Sequence, residues 1–274
     1  MSVANLDYLR GPRATLLVSL YARALESQSP STILADDTSF DIAGRLQADW
    51  TRLKVSRGVQ INAAMRARHM DIWTHNFVVR YPNAVVLDLA SGLDPRITRV
   101  DPAPGIDWYD VDYPDIIAIR RPFFSERVGH HMIGADLTAD DWLDPVPRDR
   151  PTIIIMDGVQ PFISDSDFQS LFRRLTGHFR SGEIVLYVIS KLAARLLPRN
   201  PVMQYLGIAT AYPGFDDPHT PERWGLNLQL VEEIPLVKSI LKSSLPLRFR
   251  LLFALIALNR KLSRDSGRVL RYSF

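Results

Sequence analysis

Apolar residues change their spacing near residue 83 of this chain. Before it they recur at helical intervals. Leu16, Leu17, Leu20, Ala24 and Leu25 mark a helix over 14–26, closed at 27–31 around Pro30. Asp36, Asp37, Thr38 and Ser39 offer N-cap residues for a second helix running to about residue 50. A long helix over 58–80 carries Ile61, Ala64, Met65, Ile72 and Phe77 on or near one face, and Tyr81, Pro82 and Asn83 break it. From 84 onward short apolar runs alternate with helical segments. Strands are predicted at 84–89, 107–112, 132–136, 151–157 and 183–189, with helices near 94–100, 114–127 and 165–179. Residues 151–157 are almost wholly apolar, as in a strand buried on both faces. Strands alternating with helices predict an α/β fold, a mostly parallel doubly wound sheet.

This organisation gives a helical N-terminal extension or lid over 1–82 and one compact unit over 83–274. Residues 198–225 interrupt the alternation. Pro198, Pro201, Pro213, Pro218 and Pro221 punctuate a stretch holding Tyr212, Phe215, His219 and Trp224. An aromatic, proline-rich insertion late in the fold reads as a cap or pocket wall, and alternatively as a plain surface loop.

Composition narrows the chemistry. There is no cysteine, so no disulfide, thiolate metal site or cysteine nucleophile. His69, His75, His130, His131, His178 and His219 show no metal-ligand spacing. The N-terminus lacks a secretory pattern, and the longest fully apolar run, 251–258, is far short of the ~20 residues that span a bilayer, so a cytoplasmic protein is expected. The net charge of +3 is unevenly placed: residues 238–274 hold nine Lys or Arg against one acid. Leu247, Leu251, Leu252, Leu255, Ile256 and Leu258 form an apolar stripe there. It predicts either a final helix packed on the sheet with a solvated basic tail, or a helix docking on a membrane surface or a partner, a second copy of the chain included. No nucleic-acid partner is expected.

The run from Val85 to Arg96 holds the most informative chemistry. A buried strand ends in Asp88, Ala90, Ser91 and Gly92, small residues that let a ligand approach the backbone. Asp112 ends the next strand, at a separation close to the roughly 20 residues that place a carboxylate on a ribose. A dinucleotide wants G-x-G-x-x-G, and here Ala90 stands at the first glycine while Asp94 and Pro95 occupy the phosphate position. S-adenosylmethionine has no phosphate and needs an acid for its ribose and an anion for its amino group. The acidic, glycine-poor loop favours it. Asp88, Asp112, Asp136 and Asp157 recur at strand ends, as ligand acids or as N-caps of following helices. Arg66 sits on the helix before the first strand, where it can pair with a cofactor carboxylate or face solvent.

These residues also resemble a known family. Arg66-x-Arg68-x-x-Asp71, Gly92-Leu93-Asp94-Pro95-Arg96, Asp110-Val111-Asp112-Tyr113-Pro114, and Ala135-Asp136-Leu137 with Trp142 are similar to motifs of the leucine-carboxyl-methyltransferase-type O-methyltransferases. The resemblance runs over about 15–235. Residues 20–27 are similar to the family's first helix and 216–224 to its late cap. It points to the bacterial branch that includes tetracenomycin-type polyketide enzymes. It implies a Rossmann-like class I methyltransferase fold and an S-adenosylmethionine-dependent O-methyltransferase acting on a carboxylate or phenolic oxygen of a small metabolite. Arg66 would then hold the cofactor carboxylate, Asp112 the ribose, and Asp136 with Leu137 the adenine. Asp88, Ala90, Gly92, Tyr113 and Asp157 would complete the cofactor site, and Tyr21, Tyr212, Phe215, His219 and Trp224 would meet the acceptor. No catalytic residue is assigned. Ala90 in place of a glycine, and Asp157 opening a segment where the family has E-G-x-x-x-Y-L, depart from the pattern. An NAD(P)-dependent oxidoreductase of the same architecture and a non-catalytic binding member remain alternatives.

Overall fold

The structure is a computed structural model that describes residues 4–124, 127–211, 214–240 and 267–274, with isolated positions 251, 254, 258 and 259. Two short parallel strands, β1 (Ala4–Asn5) and β2 (Leu46–Gln47), bracket α1 (Thr15–Ser27) and α2 (Asp37–Gly44). Asp36 caps α2 by accepting from the Ser39 N–H. The expected extension of α2 to residue 50 does not form. The chain enters β2 instead, and Trp50 stacks on Tyr21 at 5.0 Å. The long α3 (Arg57–Arg80), capped by Ser56, then turns Ile61, Ala64, Met65 and Phe77 inward.

A seven-stranded sheet follows. Its strands are β3 (Val85–Leu89), β4 (Asp107–Asp112), β5 (His130–Gly134), β6 (Thr152–Met156), β7 (Gly182–Val188), β8 (Gln229–Pro235) and β9 (Arg268–Ser273). They lie in the order β5-β4-β3-β6-β7-β9-β8. The first five run parallel, and β9 lies antiparallel between β7 and β8. The chain leaves β3 toward β4 and β5, then crosses to β6 on the other side. Ligands of open α/β sheets bind outside the carboxyl ends of the strands at such a reversal.

Every residue of β3 and β6 is buried, so alternate side chains face two apolar layers. Val86, Ile153 and Ile155 pack with Leu20, Ile61, Met65 and Phe77 of the N-terminal helices. Val85, Leu87, Leu89 and Ile154 pack with Phe168, Leu171, Phe172 and Leu175 of α6 (Asp165–His178). Each such fully buried side chain contributes roughly 1.5–3 kcal/mol. The N-terminal helices thus share the core of one sheet face, and their polar side chains reach its carboxyl edge.

Local sequence accounts for three further differences. Pro122 cuts the expected 114–127 helix to α5 (Pro114–Arg120) and a single 3₁₀ turn. The third strand lies at His130–Gly134, two residues early, and the Ala135 N–H donates to the Asp112 carbonyl. The two adjacent histidines part: His130 binds Asp110 at 2.7 Å, whereas the His131 ring stacks on Tyr109 at 4.4 Å. Most of the basic segment's apolar stripe lies outside the described residues. Arg268 and Arg271, expected in a solvated tail, belong to β9. Arg268 is fully buried, bonding the Phe215 and Asp216 carbonyls and Glu233, and Arg271 pairs with Glu183 and Glu232. Among the described residues no helix is long and apolar enough to cross a membrane.

Candidate active site

A cavity of about 370 Å³ opens at the carboxyl ends of β3, β4 and β6, within the size range of small-molecule sites. Leu89 pairs with Val111 on one side and Met156 on the other, so Ala90, Asp112 and Asp157 follow at one level of the sheet. All three border the cavity. Pro12, Arg13, Leu16 and Ser19 close it from the N-terminal side, and Phe162, Ile163 and Ala211 add an apolar wall.

Asp112 is 8% exposed. Its Oδ2 accepts the Gly92 N–H and its Oδ1 the Tyr113 N–H, each at 2.7 Å. A carboxylate offers about four lone-pair sites, so two remain for a ligand. Burial pushes its pKa up to about 6, against the two backbone N–H groups. The loop beside it is tightly turned. Ala90 has φ +53° and Gly92 φ +51°, and a Cβ on Gly92 would stand 3.3 Å from Leu16 Cβ. The Ser91 hydroxyl is buried at the cavity with no hydrogen-bond partner among the described residues. Such an orphaned group fits a polar ligand. Tyr113, next along, carries the Arg13 guanidinium 4.3 Å over its ring.

On the other side of β3, Arg66 Nε stands 2.9 Å from Asp157 Oδ1, and Arg66 Nη2 donates to Ser19 at 3.1 Å. Behind them lies a buried ion-pair network. Arg96 reaches Asp88 at 3.1 Å, Asp71 at 2.6 Å, Asp94 at 3.2 Å and Asp157 at 3.3 Å. Asp94 also pairs with Arg23 and Arg99. Burial alone would raise its carboxyl, but Arg23, Arg99 and Arg96 hold it well below the usual carboxylate range. Among the described residues Asp88 is ion-paired with Arg96 alone, and burial outweighs Arg96 to push its pKa up to about 7.

Arg66, Ala90, Gly92, Asp112, Tyr113, Asp136, Leu137 and Asp157 are therefore brought together around one cavity. Asp88 borders it from beneath, 2% exposed, with its carboxylate turned to Arg96. Asp136 is exposed at the far rim and accepts from the Thr138 N–H and hydroxyl.

Four of the expected acceptor residues, Tyr21, Phe215, His219 and Trp224, are not brought there. Tyr21 faces Trp50. Phe215 is buried in the α6 layer, and Trp224 meets Phe168 and Phe172 edge-on at 6.0 and 5.2 Å. His219 is exposed and binds Glu222 at 2.8 Å. Tyr212 lies outside the described residues. Phe215 and Trp224 thus pack in the α6 layer, and the Phe215 and Asp216 carbonyls fasten β9 through Arg268. Sequence reasoning missed Leu16, Ser19, Arg96, Phe162 and Ile163 on the cavity wall, and Arg120 behind it. The available signals were Arg96 within the Gly92–Arg96 motif and Phe162 with Ile163 at the end of the segment that Asp157 opens.

The sequence pattern of the leucine carboxyl methyltransferase family matches residues 16–176. The tetracenomycin polyketide synthesis O-methyltransferase TcmP of Streptomyces glaucescens is 33% identical over 231 residues, 84% of this chain and 85% of its own. The S-adenosyl-L-methionine-dependent methyltransferase dpfgK of Gibberella zeae is 32% identical over 203 residues, 67% and 68% of the two chains. Among solved structures, a proposed methyltransferase from Thermobifida fusca YX has a TM-score of 0.57 over 92% of this chain and 93% of that one. At 15% identity it speaks to the fold alone.

Proposed function

The chain belongs to the leucine carboxyl methyltransferase family and is an S-adenosylmethionine-dependent methyltransferase, and we propose that it methylates an oxygen of a small, largely apolar metabolite. The observation that carries the reading is Asp112, whose two oxygens are each fixed by one backbone N–H while the carboxylate still borders the cavity. A pair of vicinal ribose hydroxyls matches the acceptor capacity left over. Arg66 receives the donor's carboxylate, Asp157 its amino group, and Asp136 with Leu137 its adenine. When bound, the donor supplies an electrophilic methyl group on a positively charged sulfur.

The chain's own contribution is orientation and shelter. Leu16 packs over Gly92 and closes the loop from solvent. Holding the acceptor oxygen in line supplies up to about 7–11 kcal/mol. Among the described residues, the cavity wall carries no histidine or lysine. A carboxylate acceptor is already ionised at neutral pH and needs no base, whereas a phenol with a pKa near 10 would benefit from one. Asp167 also lines the wall and offers a carboxylate base, so carboxyl methylation is favoured only as the reaction that asks no proton transfer of the wall. Arg13, half exposed at the rim, suits an anionic acceptor.

Calorimetry tests the donor: S-adenosylmethionine and S-adenosylhomocysteine should bind, and NAD should not. Binding of NAD alone would restore the oxidoreductase reading. Transfer of a labelled methyl group to a panel of aromatic carboxylic acids and phenols then tests the acceptor. A methyl ester is cleaved by mild base and an aryl methyl ether survives, so a base-stable product would refute carboxyl methylation.

A further inference from the structure

Two buried arginines stand at the inner side of the cavity: Arg96 borders it and Arg120 lies behind it. Arg96 opens α4 (Arg96–Val100), and Arg120 ends α5; both are fully buried. Their anchors are cross-strand partners, since Asp88 pairs with Asp110 between β3 and β4. Arg96 Nε takes Asp88, and Arg120 Nε and Nη2 take Asp110 at 2.9 and 2.6 Å. Each guanidinium keeps a further nitrogen for the cavity wall.

Those free nitrogens go to different places. Arg96 Nη2 reaches Asp157 Oδ2 at 3.3 Å, leaving Asp157 Oδ1 for Arg66. Arg120 Nη1 instead donates to the Gly92 carbonyl at 3.1 Å and the Asp94 carbonyl at 2.9 Å. The N–H of that same Gly92 is the one held by Asp112. We propose that Arg96 and Arg120 are positioning residues for opposite ends of the methyl donor. Arg96 acts on its amino-acid end through Asp157 and Arg66, and Arg120 on its nucleoside end through Gly92 and Asp112. The assignment rests on the reading above of which residues meet the donor.

Net stability is a weak explanation for these pairs, because desolvating two charges offsets much of their attraction. Fixed geometry is the stronger one. A planar guanidinium holds several acceptors in set directions, which an ammonium on a flexible stem does not. Arg96 also touches Asp94 in the nucleoside-side loop, but Arg23, Arg99 and the Arg120 bond to its carbonyl hold that residue independently. Shortening Arg96 therefore leaves the loop anchored and releases Asp157.

The test compares two ligands by calorimetry. S-adenosylhomocysteine carries both ends, and 5′-methylthioadenosine carries the nucleoside without the amino acid. Arg96→Lys should weaken S-adenosylhomocysteine by about tenfold, the equivalent of one charge-assisted hydrogen bond, and leave 5′-methylthioadenosine unchanged. Arg120→Lys should weaken both by the same factor. If either lysine variant fails to fold, Asp71→Asn and Asp110→Asn carry the comparison, since Asp71 holds Arg96 together with Arg99, and Asp110 holds Arg120, from outside the cavity wall; Arg99 keeps Asp36 and Asp94 as partners. Selective loss in the first of each pair and equal loss in the second supports the division of roles. Equal losses for both ligands in every variant, whatever the melting temperatures, would make both arginines merely structural. Wild-type protein that binds neither ligand would instead overturn the functional reading, and this assignment with it.

Discussion

Replacing Ala90 by glycine should stabilise this protein, although it removes a side chain. Ala90 holds φ +53° at the turn that follows β3. An L-residue there costs about 1–2 kcal/mol, because its Cβ crowds the following carbonyl. Glycine escapes that cost but gives the unfolded chain more freedom, worth about 0.4–1 kcal/mol in the other direction. Ala90 is exposed at the cavity, so its methyl group sacrifices little packing when removed. The net gain is about 0.5–1 kcal/mol, equivalent to a rise in melting temperature of roughly 2 °C for a chain of this size. Urea titration should show a later midpoint with an unchanged slope. S-adenosylhomocysteine should bind the variant at least as tightly, because the backbone it approaches is less obstructed. A lower midpoint would refute the strain argument. An unchanged midpoint with weaker binding would show that the methyl group itself contacts the ligand.

Asp112→Ala should weaken S-adenosylhomocysteine by roughly 1.5–3 kcal/mol, the worth of hydrogen bonds to a charged group, and an unchanged dissociation constant in a folded variant would remove Asp112 from the ribose. Arg66→Met should weaken S-adenosylhomocysteine and spare adenosine, which lacks the carboxylate; Asp157 keeps Arg96 as its partner, so equal losses for the two ligands would refute the carboxylate contact. Between about pH 4 and 6 the folded chain holds a proton on Asp112 that the unfolded chain has released, so this group's contribution to stability falls as pH rises through that window and is flat above it. The difference in melting temperature between wild type and Asp112→Ala isolates this trend, and ligand affinity should rise over the same window as the carboxylate ionises; a difference independent of pH would show that Asp112 titrates normally.

Much of the fold can be read where one physical requirement dominates. The runs 84–89 and 151–157 are largely apolar because both sheet faces are covered, and both become central strands. The last two strands are different. β9 alternates Arg268, Val269, Leu270, Arg271 and Tyr272, and two arginines in so short a run suggest solvent. Only tertiary partners reverse that reading: Glu183, Glu232, Glu233 and the carbonyls of the late segment neutralise both guanidinium groups. The same segment misleads at the site. Phe215 and Trp224 have the composition of a ligand-facing wall, but α6 offers Phe168 and Phe172 first, and burial against them decides the outcome.

Acids at the strand ends show where local reading stops. Asp88, Asp110 and Asp112 share one face of neighbouring strands, and residue type does not separate them. What separates them is the arrival of a guanidinium. Arg96 comes eight residues after Asp88 and Arg120 ten after Asp110, each returning on the helix that follows its strand. Both acids are thereby committed to the interior. Among the described residues Asp112 meets only backbone N–H groups, which fix its orientation without neutralising it. Its partners, and not its pKa, mark that difference, because burial pushes up both Asp112 and the arginine-paired Asp88. An acid held in place yet left unpaired is the one that can still accept from a ligand. In this chain the helix after each strand, as much as the strand end itself, decides which carboxylates face the cavity as ligands and which brace it from behind.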